Sequence, residues 1–234
     1  MRDGSSPRIT SIAVRHYASN QDRAFSIHQV AERSGILLGD IESHYNELEK
    51  QMLEDFFQYA STQPNDTKWL HWNMRDSTYG FAALEHRLQV LGGKPFSIRD
   101  SDKVDLPFVL KDIYGSEVAH HPRLATLVDL NALSKRGLLS GDQEPVAFAQ
   151  HEYVKLDRST LKQVDLIAEI AEGAAAGSLK TESTWRQQYG VSAGGLRDAL
   201  SDNPTWMILS LLGVPLGLFG TALTIWQMFL APSP

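Results

Sequence analysis

The chain has 234 residues, a mass of 26.1 kDa, a formal net charge of −6 and no cysteine. These values exclude disulfides, thiolate metal centres, iron–sulfur clusters and thiol nucleophiles, and also an overall basic field that would hold nucleic acid without sequence preference. With 42% hydrophobic and 21% charged residues, the chain has the composition of a folded protein.

Taken in chain order, Ile9, Ile12, Ala13 and Tyr17 share one face at helical spacing and predict a first helix. A second helix follows on Ile27, Val30 and Ala31, with Ser26 as its N-cap. Gly35 takes a positive φ at its end, and Ala31 is small enough to let two helices cross closely. Ile41 and Tyr45 mark a short third helix, and Leu48, Met52, Phe56 and Phe57 a fourth. A short helix, a Ser-Gly turn and a second short helix have helix-turn-helix spacing.

These residues carry a resemblance. From Ile9 to about Phe57 the chain resembles the DNA-binding domain of TetR-type bacterial regulators. The matching features are Phe25 and Ile27, the run from Val30 to Gly35, Gly39, Ile41, His44-Tyr45, and the glutamate-rich opening of the next helix. The resemblance implies an N-terminal domain over 1–60, a helical ligand-binding and dimerising domain after it, and DNA as the partner. Carried over position by position, the DNA-contacting residues would be Arg33, Gly39, Asp40, Glu42, Ser43, His44 and Tyr45. The chain departs from the family where it matters most. From Ile36 to Glu49 there is no Lys or Arg, while Asp40, Glu42, Glu47 and Glu49 are all acidic. Residues 1–60 hold 6 Lys+Arg against 9 Asp+Glu. Phosphate contact supplies much of protein–DNA affinity, so an acidic reading face is costly. Leu37 and Leu38 at the turn suit a protein contact instead.

The polar run STQPNDT (61–67) predicts a boundary, and residues 66–205 a second, helical domain. Breaks fall at 92–95, 121–122, 137–141 and 173–177. Leu161, Val164, Ala168 and Ala171 predict a helix capped by Asp157 or Ser159, and Val104, Phe108, Leu110 and Ile113 another. The richest polar cluster runs from Lys68 to Asp76. Trp69, His71, Trp72, Arg75 and Asp76, joined by His86, have the composition of a ligand pocket. The competing reading is an amphipathic helix start with its aromatics in the core and Glu85-His86-Arg87 on a solvated face. Glu117 and His120 stand at i, i+3 but lack a second such pair, so no metal and no cofactor is expected. No phosphate-loop, dinucleotide, metalloprotease or nucleophile-elbow motif is present, and no catalytic residue stands out.

Residues 206–230 are 25 consecutive uncharged residues with only Ser210, Thr221, Thr224 and Gln227 polar. At about 1.5 Å per residue they can cross a hydrocarbon core of about 30 Å. Trp206 and Trp226 suit the two interfaces. The reading is a tail anchor, single-pass in the inner membrane, with the N-terminal domains cytoplasmic. Gly213, Gly217 and Thr221 form a small-residue row for a homodimer of spans. The whole predicts an all-α chain: a TetR-like helix-turn-helix, a helical middle domain and one transmembrane helix. Its leading function is a membrane-tethered regulator that binds DNA and responds to a ligand or partner. The alternatives are a membrane-bound protein-interaction module that binds no DNA and, third, an enzyme using the His and Asp residues of the middle segment.

Overall fold

The computed structural model describes residues 8–74 and 80–183. The chain is helix-rich, but it opens on two strands where a helix is expected. Strands β1 (Ser11–His16) and β2 (Gln21–Ser26) pair antiparallel, with Ser11 opposite Ser26 and His16 opposite Gln21. Ile12 and Val14 are β-branched and suit a pleated strand. Asn20 closes the turn at φ 51°, a left-handed conformation that asparagine tolerates. Arg15 clamps its cross-strand partner Asp22 through two nitrogens, at 2.6 and 2.9 Å. Ile9, Ile12, Ala13 and Tyr17 fit helical spacing over too short a stretch to outvote these pairings.

Helix α1 (Ile27–Arg33) follows directly. Ser26 is its N-cap by backbone, but its hydroxyl bonds His28 Nδ1 at 3.0 Å rather than capping a backbone N–H. The helix stops as expected at Gly35, whose φ is +70°. The Gly35 N–H reaches the Glu32 carbonyl at 3.1 Å and the Ile36 N–H reaches Ala31 at 2.8 Å, which satisfies the last carbonyls. A 3-10 helix (Leu38–His44) then leads into α2 (Tyr45–Ser61), which buries Leu48, Met52, Leu53, Phe56 and Phe57. Each such side chain is worth about 1.5–3 kcal/mol of apolar burial.

After the 61–67 loop, β3 (Trp69–His71) lies parallel to β4 (Lys103–Asp105), so Trp69-Leu70-His71 is a strand and not a helix start. Helices α3 (Phe81–Val90), α4 (Leu106–Tyr114), α5 (Arg123–Leu130), α6 (Gln143–Ala149) and α7 (Tyr153–Ala175) complete the described chain. The expected α7 is present but starts earlier. Glu152 is its N-cap, and Asp157 and Ser159 lie buried inside it. With two two-stranded sheets, the all-α expectation gives way to a helix-rich chain with some strands.

Among the described residues two large buried clusters form most of the core, with a small third one of Ala60, Phe81 and Ile98, and α7 serves both large ones. The first joins the hairpin, α1 and α2 to Leu84 and Leu88 of α3, Ala147 of α6 and the start of α7. The second gathers α4, α5 and the later turns of α7. Residues before the 61–67 loop thus share the first cluster with residues after it. Glu49, fully buried on α2, fastens this junction. It accepts the Ile9 N–H at 2.6 Å and the Arg87 guanidinium at 2.5 Å. Arg87, expected on a solvated face, is therefore inside, because a buried carboxylate needs a paired cation.

Candidate functional site

The turn after α1 presents Leu37 at 73% and Leu38 at 54% exposure, the two highest values among the large hydrophobic side chains of the described residues. Ile36 turns inward onto the first cluster, and the next two residues cannot follow it. Leu38 forms one edge of an open groove of about 610 Å³, with Leu138, Leu139, His151, Tyr153 and Arg158 among its walls. Its floor comes from the α6–α7 junction, where His151 holds φ +58° and its Nδ1 lies 3.1 Å from the Tyr153 hydroxyl.

The residues carried over as DNA contacts sit around this turn without forming a cationic face. Arg8 spans to Glu42 at 2.5 Å, and the Tyr153 hydroxyl donates to the other Glu42 oxygen at 3.4 Å. The Arg8 hydrogen bond holds the Glu42 carboxyl below the usual carboxylate range. Arg33 is paired with Asp55. Ser43 donates to the Asp40 carbonyl at 2.7 Å, and His44 Nδ1 stands 3.1 Å from the same oxygen, so both fold back on their own turn. Tyr45 is not on a reading face at all. It is 1% exposed, donates to the Ile9 carbonyl at 3.2 Å and lies under the Arg8 guanidinium. Burial pushes its phenol well above the ordinary value. Gly39 and Asp40 are exposed. The structure thus brings Leu37, Leu38 and an acidic 3-10 helix together, with both neighbouring arginines already matched by carboxylates.

The predicted ligand pocket is only partly assembled. Trp69 and His71 line a cavity of about 400 Å³ between the hairpin, α2, β3 and α7. Trp72 packs against the second core cluster instead, and His86 is exposed on α3. Arg75 and Asp76 lie outside the described residues. His71 is 4% exposed, and its Nδ1 accepts the Met74 N–H at 3.2 Å and lies 3.7 Å from Asp105 Oδ1. The rest of the cavity wall had no local signature. Tyr17, Phe56, Tyr59 and Ile167 come from the hairpin turn, α2 and α7, and meet only when the hairpin docks on α7. Burial and Glu172 raise the Tyr17 phenol to about 12.

Two constellations that suggest chemistry do not support it. Ser26, His28 and Asp157 form a serine–histidine–carboxylate row, but Ser26 is 1% exposed and His28 Nε2 lies 4.0 Å from Asp157 Oδ2. A nucleophile needs a closer relay and access to substrate. Glu117 and His120 lie in the loop between α4 and α5, not on a helix, and His120 pairs with Glu182 at 2.6 Å. Among the described residues no group of three metal-ligating side chains occurs. Among them, too, no helix is long and apolar enough to cross a membrane; the expected span at 206–230, with Gly213, Gly217 and Thr221, lies outside them. No protein-family model, curated protein or solved structure matches the chain.

Proposed function

We propose that this chain is a membrane-tethered regulatory module whose helix-turn-helix-like element grips a protein and not DNA. The observation that carries the reading is the turn. Its two most prominent side chains are apolar, Leu37 and Leu38, on a face where the charged residues are acidic or already paired. Counterion release needs uncommitted Lys or Arg near phosphates, and a duplex would find few here. A protein surface with apolar side chains would bury both leucines and fill the groove beside Leu38, with Arg158 among its lining residues for an acidic neighbour. The family resemblance, read from the sequence, belongs to this proposal, with the hairpin standing where the family has a helix. Residues 206–230 would hold the module at the inner membrane, and the Gly213, Gly217, Thr221 row would pair two copies.

The test uses the full-length protein. A photo-crosslinker at position 37 should give one discrete protein adduct in living cells, lost in a Leu38→Glu background. Duplex selection from random sequence should return no tight binder at physiological salt. Tight, sequence-selective DNA binding would overturn the proposal in favour of an ordinary repressor. Deleting 206–234 should move the protein from the membrane fraction to the soluble one.

A further inference from the structure

We infer that the cavity between the hairpin, α2, β3 and α7 is a binding site for an uncharged, ring-containing small molecule. This goes beyond the proposed protein contact and does not depend on it. The volume, about 400 Å³, falls within the roughly 300–1,000 Å³ of ordinary ligand pockets. The wall is mostly apolar and rich in rings. Trp69 stands nearly perpendicular to Tyr59 and Phe56, at centroid distances of 6.5 and 6.4 Å and interplanar angles of 88° and 74°. Phe81 and His71 make a second edge-to-face pair at 5.4 Å. Tyr59, Trp69, Met74, Val164 and Ile167 are only half-buried, so this apolar surface is neither core nor ordinary exterior. An open wall of rings offers edge and face contacts to another ring, and little to hold water.

The polar groups at the cavity decide the charge of the ligand. Arg15 is held by Asp22 and Asp165, and Lys68 by Asp102 at 2.8 Å and the Ser101 carbonyl at 3.0 Å. His16 Nδ1 is bonded to Ser19, and Gln63 donates to the Tyr59 carbonyl. Both lining cations are thus already matched, and Asp66 adds a negative charge at the mouth. An anionic ligand would meet no uncommitted cation, whereas a neutral ring loses nothing by entering.

The probe is 2-naphthol, uncharged at neutral pH, measured by equilibrium dialysis against the full chain in detergent. Two variants fill the cavity from different elements, Val164→Trp on α7 and Ala13→Leu on β1, each checked by circular dichroism, and identical micelles provide the blank. We expect saturable uptake of one probe per chain by the wild type. Affinity should fall at least tenfold in whichever filled variant keeps the wild-type spectrum. Leu38→Glu should leave it unchanged, so failure of the protein-contact proposal cannot masquerade as failure of this one. Equal uptake by wild type and a folded filled variant would overturn the site. Tighter binding of octanoate than of naphthol would overturn its ligand class.

Discussion

The turn at Leu37-Leu38 and the cavity beside Trp69 are both apolar surfaces left uncovered, yet they differ in curvature. The turn is convex, and its leucines stand out at 73% and 54% exposure. Only a surface large enough to wrap around them can bury them, so the fitting partner is a macromolecule. The cavity is concave, and a single small molecule can cover most of its wall. Exposed apolar area alone therefore does not identify a partner. Its shape, and the charge already satisfied around it, do.

The comparison breaks most visibly if the scaffold shared by both sites is undone. Glu49 binds the segment before the hairpin to α2 and α3 through Ile9 and Arg87. Glu49→Leu leaves the Arg87 guanidinium buried without its carboxylate and should cost about 3–5 kcal/mol, read as a lower urea midpoint at unchanged slope. Replacing both, Glu49→Leu with Arg87→Met, should recover most of that loss. A smaller effect belongs to the turn alone. Gly35 has φ +70° with open space around its Cβ position, so Gly35→Ala meets backbone strain without a clash. It should cost about 1–2 kcal/mol and reduce the position-37 adduct while naphthol binding survives.

A pH experiment sharpens the contrast from within the core. Burial raises the Asp157 carboxyl above its ordinary value, the nearby His28 opposing this only in part, and its Oδ1 has no hydrogen-bond partner. A raised folded value means that the protonated form is favoured in the native state. Asp157 therefore contributes stability below the ordinary carboxylate range and loses it as pH climbs through the raised one. Asp157→Asn should be more stable than the wild type at pH 7, with the advantage vanishing near pH 3, by urea midpoints at both. Least of all should change in the stability of Leu38→Ser, at a side chain 54% exposed, within about 0.5 kcal/mol, although the same substitution should abolish the position-37 adduct. That pairing of no structural effect with full functional loss is what a contact surface predicts.

Legibility in the sequence followed the range of the interactions. The α1 helix, its stop at Gly35 and most of α7 were readable because 3.6-residue spacing and a left-handed glycine are local. The exposure of Leu37 and Leu38 was readable for the same reason. The hairpin was not, because Ile9, Ile12, Ala13 and Tyr17 satisfy helical spacing as well, and pairing with β2 and cover from α7 decide between the two. A three-residue strand such as Trp69–His71 has no period to detect. Asp157 and Ser159 look like caps from their residue types, yet the Leu139 N–H bonds Ser159 Oγ at 3.0 Å inside the body. The cavity draws on residues from Ile12 to Ala168, so no window of sequence contains it.

The docking of the hairpin on α7 has a consequence for the birth of the protein. Ser11 bonds Thr160 at 2.7 Å, and Arg15 reaches Asp165 across 150 positions of chain. At about 5–20 residues per second of synthesis, the first strands wait on the order of 10–30 s before α7 is even made. During that interval the half of the hairpin that will face α7 has no partner within the chain. The longer helix that both core clusters share is thus also the clock of folding. A nascent chain stopped before residue 153 should hold its hairpin open to proteases, and one released after residue 183 should not.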